Sequence, residues 1–167
     1  MIPYRQNGVD GFVVGLGGNS RSAGAVEQWT GTGWKELHDD GWGKNVTTMI
    51  PYGSGFVLGL GDGLSSTTRG GVMEYTGDRF VERHDDGWGS GVVSALPYGG
   101  GYVVGLNNGS VQKWTGQGWK QLLGGTGLNG TDERVDAIIP YGQGFVIATL
   151  TGAVSYYTGS RSDVPLT

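Results

Sequence analysis

The chain has no cysteine, little charge and no long apolar run. Without cysteine there can be no disulfide, no thiolate metal site and no cysteine nucleophile. Charged residues make up 16% of the 167 positions, and the formal net charge is −4. Lysines and arginines do not cluster. The electrostatic footprint of a nucleic-acid-binding protein is therefore missing, as is the polybasic segment that anionic lipid attracts. No apolar stretch approaches the roughly 18 residues that span a bilayer. The opening Met1-Ile2-Pro3-Tyr4-Arg5 has no basic segment followed by an apolar one, so no signal peptide is expected. A helical apolar stripe is missing too, which leaves strands as the building element. The expectation is a chain that binds neither nucleic acid nor membrane.

Glycine is what the sequence has in excess: 36 residues, about three times the usual ~7% share. The strict three-residue period of collagen is not there. The glycines separate short apolar runs instead, where tight turns need φ > 0.

Those runs recur in a fixed order. An Ile/Leu-Pro-Tyr marker occurs at Ile2-Pro3-Tyr4, Ile50-Pro51-Tyr52, Leu96-Pro97-Tyr98 and Ile139-Pro140-Tyr141, with prolines 48, 46 and 43 residues apart. A glycine turn and an aromatic-aliphatic run follow each marker, beginning at Gly11-Phe12, Gly55-Phe56, Gly101-Tyr102 and Gly144-Phe145. Then comes an aromatic-Thr-Gly triplet: Trp29-Thr30-Gly31, Tyr75-Thr76-Gly77, Trp114-Thr115-Gly116 and Tyr157-Thr158-Gly159. Each repeat reads as four short strands, a to d. In the second repeat they cover about 46–52, 56–60, 72–76 and 80–84, rich in β-branched and aromatic residues and bounded by turn formers. Four-stranded units at this period match one propeller blade. The expected fold is all-β: a β-propeller of four-stranded antiparallel blades, four repeats per chain. The blades cover approximately 1–44, 45–90, 91–132 and 133–167 within a single repeat domain. A β-solenoid or roll is the alternative fold.

The first strand a and the last strand d are atypical, and open sheet edges and apolar faces invite association. Homo-oligomers formed through the terminal blades are expected, unless four blades close a ring alone.

In a four-strand meander the b–c and d–a links share one face. The b–c link is long in two repeats, at 17–24 and 62–70. The d–a link carries His38-Asp39-Asp40-Gly41-Trp42-Gly43 and again His84-Asp85-Asp86-Gly87-Trp88-Gly89. This is the expected working face, because function concentrates on loops held by a rigid scaffold. The first a–b link, Arg5 to Gly11, is also long and lies on the opposite face.

Two readings of the His-Asp-Asp-Gly-Trp-Gly motif stand. In one, Asp-Gly makes a turn, the tryptophan wedges between blades and the histidine caps a strand end. In the other, Trp42 and Trp88 cover the apolar face of a sugar, while His38, Asp39, Asp40, His84, Asp85 and Asp86 take its hydroxyls. An inter-blade tryptophan can do both. Metal binding is not expected, since no histidine partner lies at ligand spacing and calcium needs several oxygens from one loop. Catalysis is not expected either. The two histidines occupy equivalent repeat positions rather than one triad, and the Gly-x-Gly segments open no helix, so no nucleotide cofactor is expected.

The stretch from Gly41-Trp42 to Gly87-Trp88 resembles the repeat of tachylectin-type propeller lectins. Those blades also open with Gly-Trp, run through a hydrophobic strand, turn at glycine and continue as aromatic-aliphatic strands. The resemblance implies sites for N-acetylated sugars between neighbouring blades. It departs from that family in blade number and at the third boundary, which has no tryptophan. The functional expectation is a non-catalytic, lectin-like carbohydrate-binding propeller. The alternative is a structural or protein-docking propeller that assembles through its terminal blades.

Overall fold

A computed structural model of the chain describes residues 1–6, 8–17, 24–39, 41–61, 70–85, 87–124 and 133–158, and the backbone of 162–165. Among the described residues there are sixteen strands and no helix. They form four antiparallel sheets, each made of four consecutive strands. The first sheet is β1 (Ile2–Gln6), β2 (Val9–Gly15), β3 (Val26–Trp29) and β4 (Trp34–His38). The second is β5 (Asn45–Tyr52), β6 (Gly55–Gly61), β7 (Gly71–Tyr75) and β8 (Phe80–His84). The third is β9 (Val92–Tyr98), β10 (Gly101–Leu106), β11 (Val111–Trp114) and β12 (Trp119–Leu123). The fourth is β13 (Val135–Tyr141), β14 (Gly144–Thr149), β15 (Val154–Tyr157) and β16 (Ser162–Pro165). Strands β1–β8 belong to one compact unit and β9–β16 to another.

The repeated sequence markers lie side by side in each sheet. Pro3 pairs with Phe12, Phe12 with Trp29, and Trp29 with Trp34. The same row is Pro51, Phe56, Tyr75, Phe80 in the second sheet. It is Pro97, Tyr102, Trp114, Trp119 in the third. Cross-strand aromatic neighbours are a main source of sheet stability, which accounts for their recurrence. In the fourth sheet the row ends at Ser162 opposite Tyr157.

The threonine of the aromatic-Thr-Gly triplet makes the c–d turn. Its amide donates to the carbonyl three residues on: Thr30 to Gly33, Thr76 to Arg79 and Thr115 to Gly118, each at 3.0 Å. The glycine that follows sits at φ between 88° and 103°, where a side chain is strained. A second glycine is required for a different reason. A Cβ on Gly11, Gly55, Gly101 or Gly144 would lie 1.7–2.0 Å from the carbonyl oxygen of Trp29, Tyr75, Trp114 or Tyr157. Strands b and c therefore cross too closely there for any side chain.

The first a–b link differs from expectation. Residues expected to form a long loop extend the hairpin instead: Arg5 pairs with Asp10 and Gln6 with Val9. An Arg5–Asp10 ion pair at 3.2 Å lies across the two strands.

The core of each unit forms where its two sheets meet. In the first unit Tyr4 presents its ring edgewise to Phe56 (5.4 Å, 86°) and Tyr75 (6.3 Å, 74°). In the second unit Tyr98 meets Phe145 (5.0 Å, 86°) and Tyr157 (6.4 Å, 77°) in the same way. Beside these contacts the backbone must be bare. A Cβ on Gly15 would come within 2.3 Å of a Val46 methyl, and one on Gly105 within 2.5 Å of a Val135 methyl. Within each unit a tyrosine of Ile/Leu-Pro-Tyr, Tyr4 or Tyr98, thus joins one sheet to the next.

Candidate functional site

The candidate site is assembled at the junction of the first and second sheets, at the end where strand d hands over to the next strand a. A bulge prepares it. Val26 pairs with His38 while Glu27 pairs with Glu36, so Leu37 is the extra residue. The second sheet repeats this at Val72–His84 and Met73–Glu82, with Arg83 extra. A bulge re-aims the side chains beyond it. Here it puts His38 on the face of Val26 rather than that of Glu36.

Both histidines then stack on the tryptophan four residues later. His38 lies 3.6 Å from Trp42 with planes 13° apart, and His84 lies 3.5 Å from Trp88 with planes 16° apart. In the intervening turn the Gly41 amide donates to the Asp39 carbonyl at 2.9 Å, and the Gly87 amide donates to the Asp85 carbonyl. The edge of Phe80, from the second sheet, meets Trp42 at 5.0 Å and 82°. Trp42 is therefore a wedge between two sheets, as the structural reading of the motif expects. Gly24 makes room for it. A Cβ there would sit 2.6 Å from the Lys44 carbonyl oxygen and 3.1 Å from the indole.

Trp42 is also the wall of a pocket of about 200 Å³. Leu60 and Met73, both buried, form its apolar part. Glu82, His84, Asp85 and Lys44 supply its polar groups. Lys44 Nζ is 3.1 Å from Asp85 Oδ1; the lysine side chain is 15% exposed and the aspartate 61%. The pocket thus has one aromatic wall, an aliphatic floor, and an acid–base pair whose carboxylate faces solvent.

Of the residues expected from sequence, Trp42, His84 and Asp85 meet at this pocket. His38 backs Trp42, and Trp88 backs His84. Asp39 is exposed and does not line it. Asp40 and Asp86, and all but the end residues of the two long b–c links and of the third d–a link (124–132), lie outside the described residues. Sequence reasoning missed Lys44, Leu60, Met73 and Glu82. A signal for the first was present: Gly41-Trp42-Gly43 is followed by Lys44, whereas Gly87-Trp88-Gly89 is followed by Ser90. Met73 likewise stands where the other repeats have Glu27, Gln112 and Ser155.

No protein-family model and no curated protein matches the chain. Solved structures do. A mutant of Aleuria aurantia lectin in complex with Fucα1-6GlcNAc matches at TM-score 0.64 and 12% identity, over 98% of this chain and 59% of that one. A fungal lectin structure, described as a six-bladed β-propeller with a novel fucose recognition mode for the same lectin, matches at 0.64 and 13%, with the same coverage. The computationally designed Ika8 protein matches at 0.62 and 17%, over 99% of this chain and 47% of that one. This chain spans less than two thirds of the length of each. The likeness is to lectins of the propeller kind and does not single out the tachylectin type expected from sequence. At these identities what is shared is the fold: antiparallel four-stranded sheets repeated along the chain.

Proposed function

We propose that this chain is a non-catalytic carbohydrate-binding protein in which each sheet is one blade of a propeller scaffold. In this reading the pocket at the first junction takes one sugar ring. The observation that carries it is the composition of that pocket. Trp42, Leu60 and Met73 offer an apolar surface for the C–H face of a pyranose. Lys44, Glu82, His84 and Asp85 surround it with donors and acceptors for hydroxyls. A volume of about 200 Å³ is below the ~300–1,000 Å³ of drug-sized sites, which suits one ring rather than an extended chain. The fold likeness to a lectin solved with Fucα1-6GlcNAc supports the class of ligand, and names fucosylated and N-acetylated glycans as the first to try.

The test is a glycan array containing both classes, followed by calorimetric titration of the best hit into wild type, Glu82→Gln and Asp85→Asn. Both side chains are at the surface, so the variants keep the fold. Binding by wild type that weakens in both variants supports the reading. Absence of any glycan binding at millimolar ligand, or binding that neither variant alters, overturns it.

A further inference from the structure

The two ends of the sheet series present the two halves of a contact that the molecule already makes twice. Within each unit one sheet offers the Ile/Leu-Pro-Tyr face and the next offers an aromatic face, and Tyr4 and Tyr98 are seated in them. The fourth sheet carries the first kind of face, and the described residues of its marker are exposed. Ile139 and Tyr141 are 56% and 64% exposed, whereas their counterparts Ile2 and Tyr4 are each 8% exposed. Val146 and Val154 on the same face are only half-buried, whereas Val13 and Val26, their counterparts, are fully buried.

The first sheet carries the second kind of face, less covered than its counterpart in the second sheet. Phe12 and Trp29 are half-buried, whereas Phe56 and Tyr75 have 0% and 5% exposure. Trp34 is 55% exposed and stacks edgewise on both Phe12 and Trp29, at 5.5 Å each. An apolar depression of about 410 Å³ opens beside Phe12, lined by Met1, Ile2, Pro3 and Gly11.

We propose that the chain associates head to tail. The fourth-sheet face bearing Ile139 and Tyr141 packs on the first-sheet face of a second copy, with Tyr141 seated against Phe12 and Trp29. The occupant is a second copy because the complementary surface is on this same chain, with its chemistry set by the two internal junctions. The same ring types meet in the same order: tyrosine edge against phenylalanine, then against a second aromatic. The contact is heterologous, since each copy uses a different surface at its two ends.

Sedimentation velocity across micromolar concentrations tests this on wild type, Tyr141→Lys and Trp34→Glu, with Ile139→Lys as a second variant of the fourth sheet. Far-UV circular dichroism confirms that each is folded. Wild type is expected to be larger than a monomer, and each variant monomeric. Each variant spoils one end and leaves the other intact. An equimolar mixture of Tyr141→Lys and Trp34→Glu is therefore expected to recover a dimer joined by one sound junction. A wild type that stays monomeric overturns the proposal, as do variants that associate like wild type. A mixture that recovers nothing overturns the head-to-tail arrangement.

Discussion

The imidazole of His38 lies flat on the indole of Trp42, 3.6 Å between centroids and 13° from parallel. The edge of Phe80 in the second sheet approaches the same indole at 5.0 Å. Trp42 is thus held from both sheets, and the stack fixes the end of strand d to the start of the next strand a. Trp42→Ala is expected to destabilise the chain by about 2–4 kcal/mol, somewhat less than a fully buried tryptophan because the ring keeps partial exposure. His38→Ala removes its stack on Trp42 and its contact with Phe80 at 5.6 Å, at about 0.5–1.5 kcal/mol for each aromatic pair. Urea unfolding of both variants measures this, and a Trp42→Ala loss no larger than that of His38→Ala would contradict the wedge role.

Two pairs of glycines have opposite expected outcomes. Gly55→Ala and Gly101→Ala each place a Cβ 1.8 Å from a carbonyl oxygen of strand c. The strands must separate, at a cost of about 2 kcal/mol or more. Gly33→Ala and Gly118→Ala meet nothing within 4 Å and need no positive φ. They are expected to stay within about 0.5 kcal/mol of wild type. Denaturant midpoints for the four variants settle the contrast.

Four sheets were legible in the sequence because strand alternation, turn glycines and the Pro-Tyr marker all repeat locally. The strand d expected at about 80–84 is Phe80–His84, and the strand a expected at about 46–52 is Asn45–Tyr52. The first hairpin was not legible, since Arg5 to Gly11 is polar and glycine-bearing and reads as a loop although it pairs to Gln6–Val9. The bulges at Leu37 and Arg83 were hidden too, because a one-residue register shift leaves no mark in composition. At the site, the motif histidines and tryptophans stood out by recurrence. Lys44, Glu82 and Met73 did not: Met73 and Glu82 are partners across β7 and β8, Lys44 comes from the link before β5, and only the folded chain brings them to one pocket.

Burial raises the pKa of Tyr4, and Tyr75 beside it raises it further. Tyr157 is raised by burial and then by Tyr98. In both cases the folded state prefers the neutral phenol, so the folded value lies above the unfolded one. The resulting stability is fully present below the unfolded value of about 10 and is lost as pH rises through the folded value. Urea midpoints are expected to fall in this alkaline window. Tyr4→Phe and Tyr157→Phe should each flatten the fall, and tyrosinate absorbance should show late-ionising phenols that the variants remove.

Asp78 titrates in the opposite sense. The Thr76 hydroxyl donates to its carboxylate at 2.5 Å, and this bond is the main cause of its lowered pKa. The Arg79 charge and the backbone amides of Arg79 and Asp78 lower it further. The turn's preference for the carboxylate is present above the ordinary aspartate value and is lost as pH falls through the lowered one. Carboxyl carbon shifts followed by NMR are expected to report a midpoint below the usual aspartate range. Thr76→Val should move it back up, and an unmoved midpoint would remove the threonine from the account.

Lys44 separates the stability of the first junction from its binding. Its ion pair with Asp85 is 3.1 Å long, but the aspartate is 61% exposed and water screens the pair. Such pairs contribute about 0–1 kcal/mol, so Lys44→Ser, which copies Ser90 of the next repeat, should leave the unfolding midpoint nearly unchanged. A bound hydroxyl would see the same lysine differently. In a pocket it shares with Trp42 and Met73, its ammonium can donate a charge-assisted hydrogen bond, which contributes about 1.5–3 kcal/mol, or about 10- to 100-fold in affinity. The expected outcome is a variant that melts like wild type and binds the best glycan at least about tenfold more weakly. Arginine at this position keeps the charge but brings a larger planar head into a pocket of about 200 Å³, so Lys44→Arg should rescue little of the lost affinity. Undiminished glycan binding by Lys44→Ser would place the sugar elsewhere on the chain.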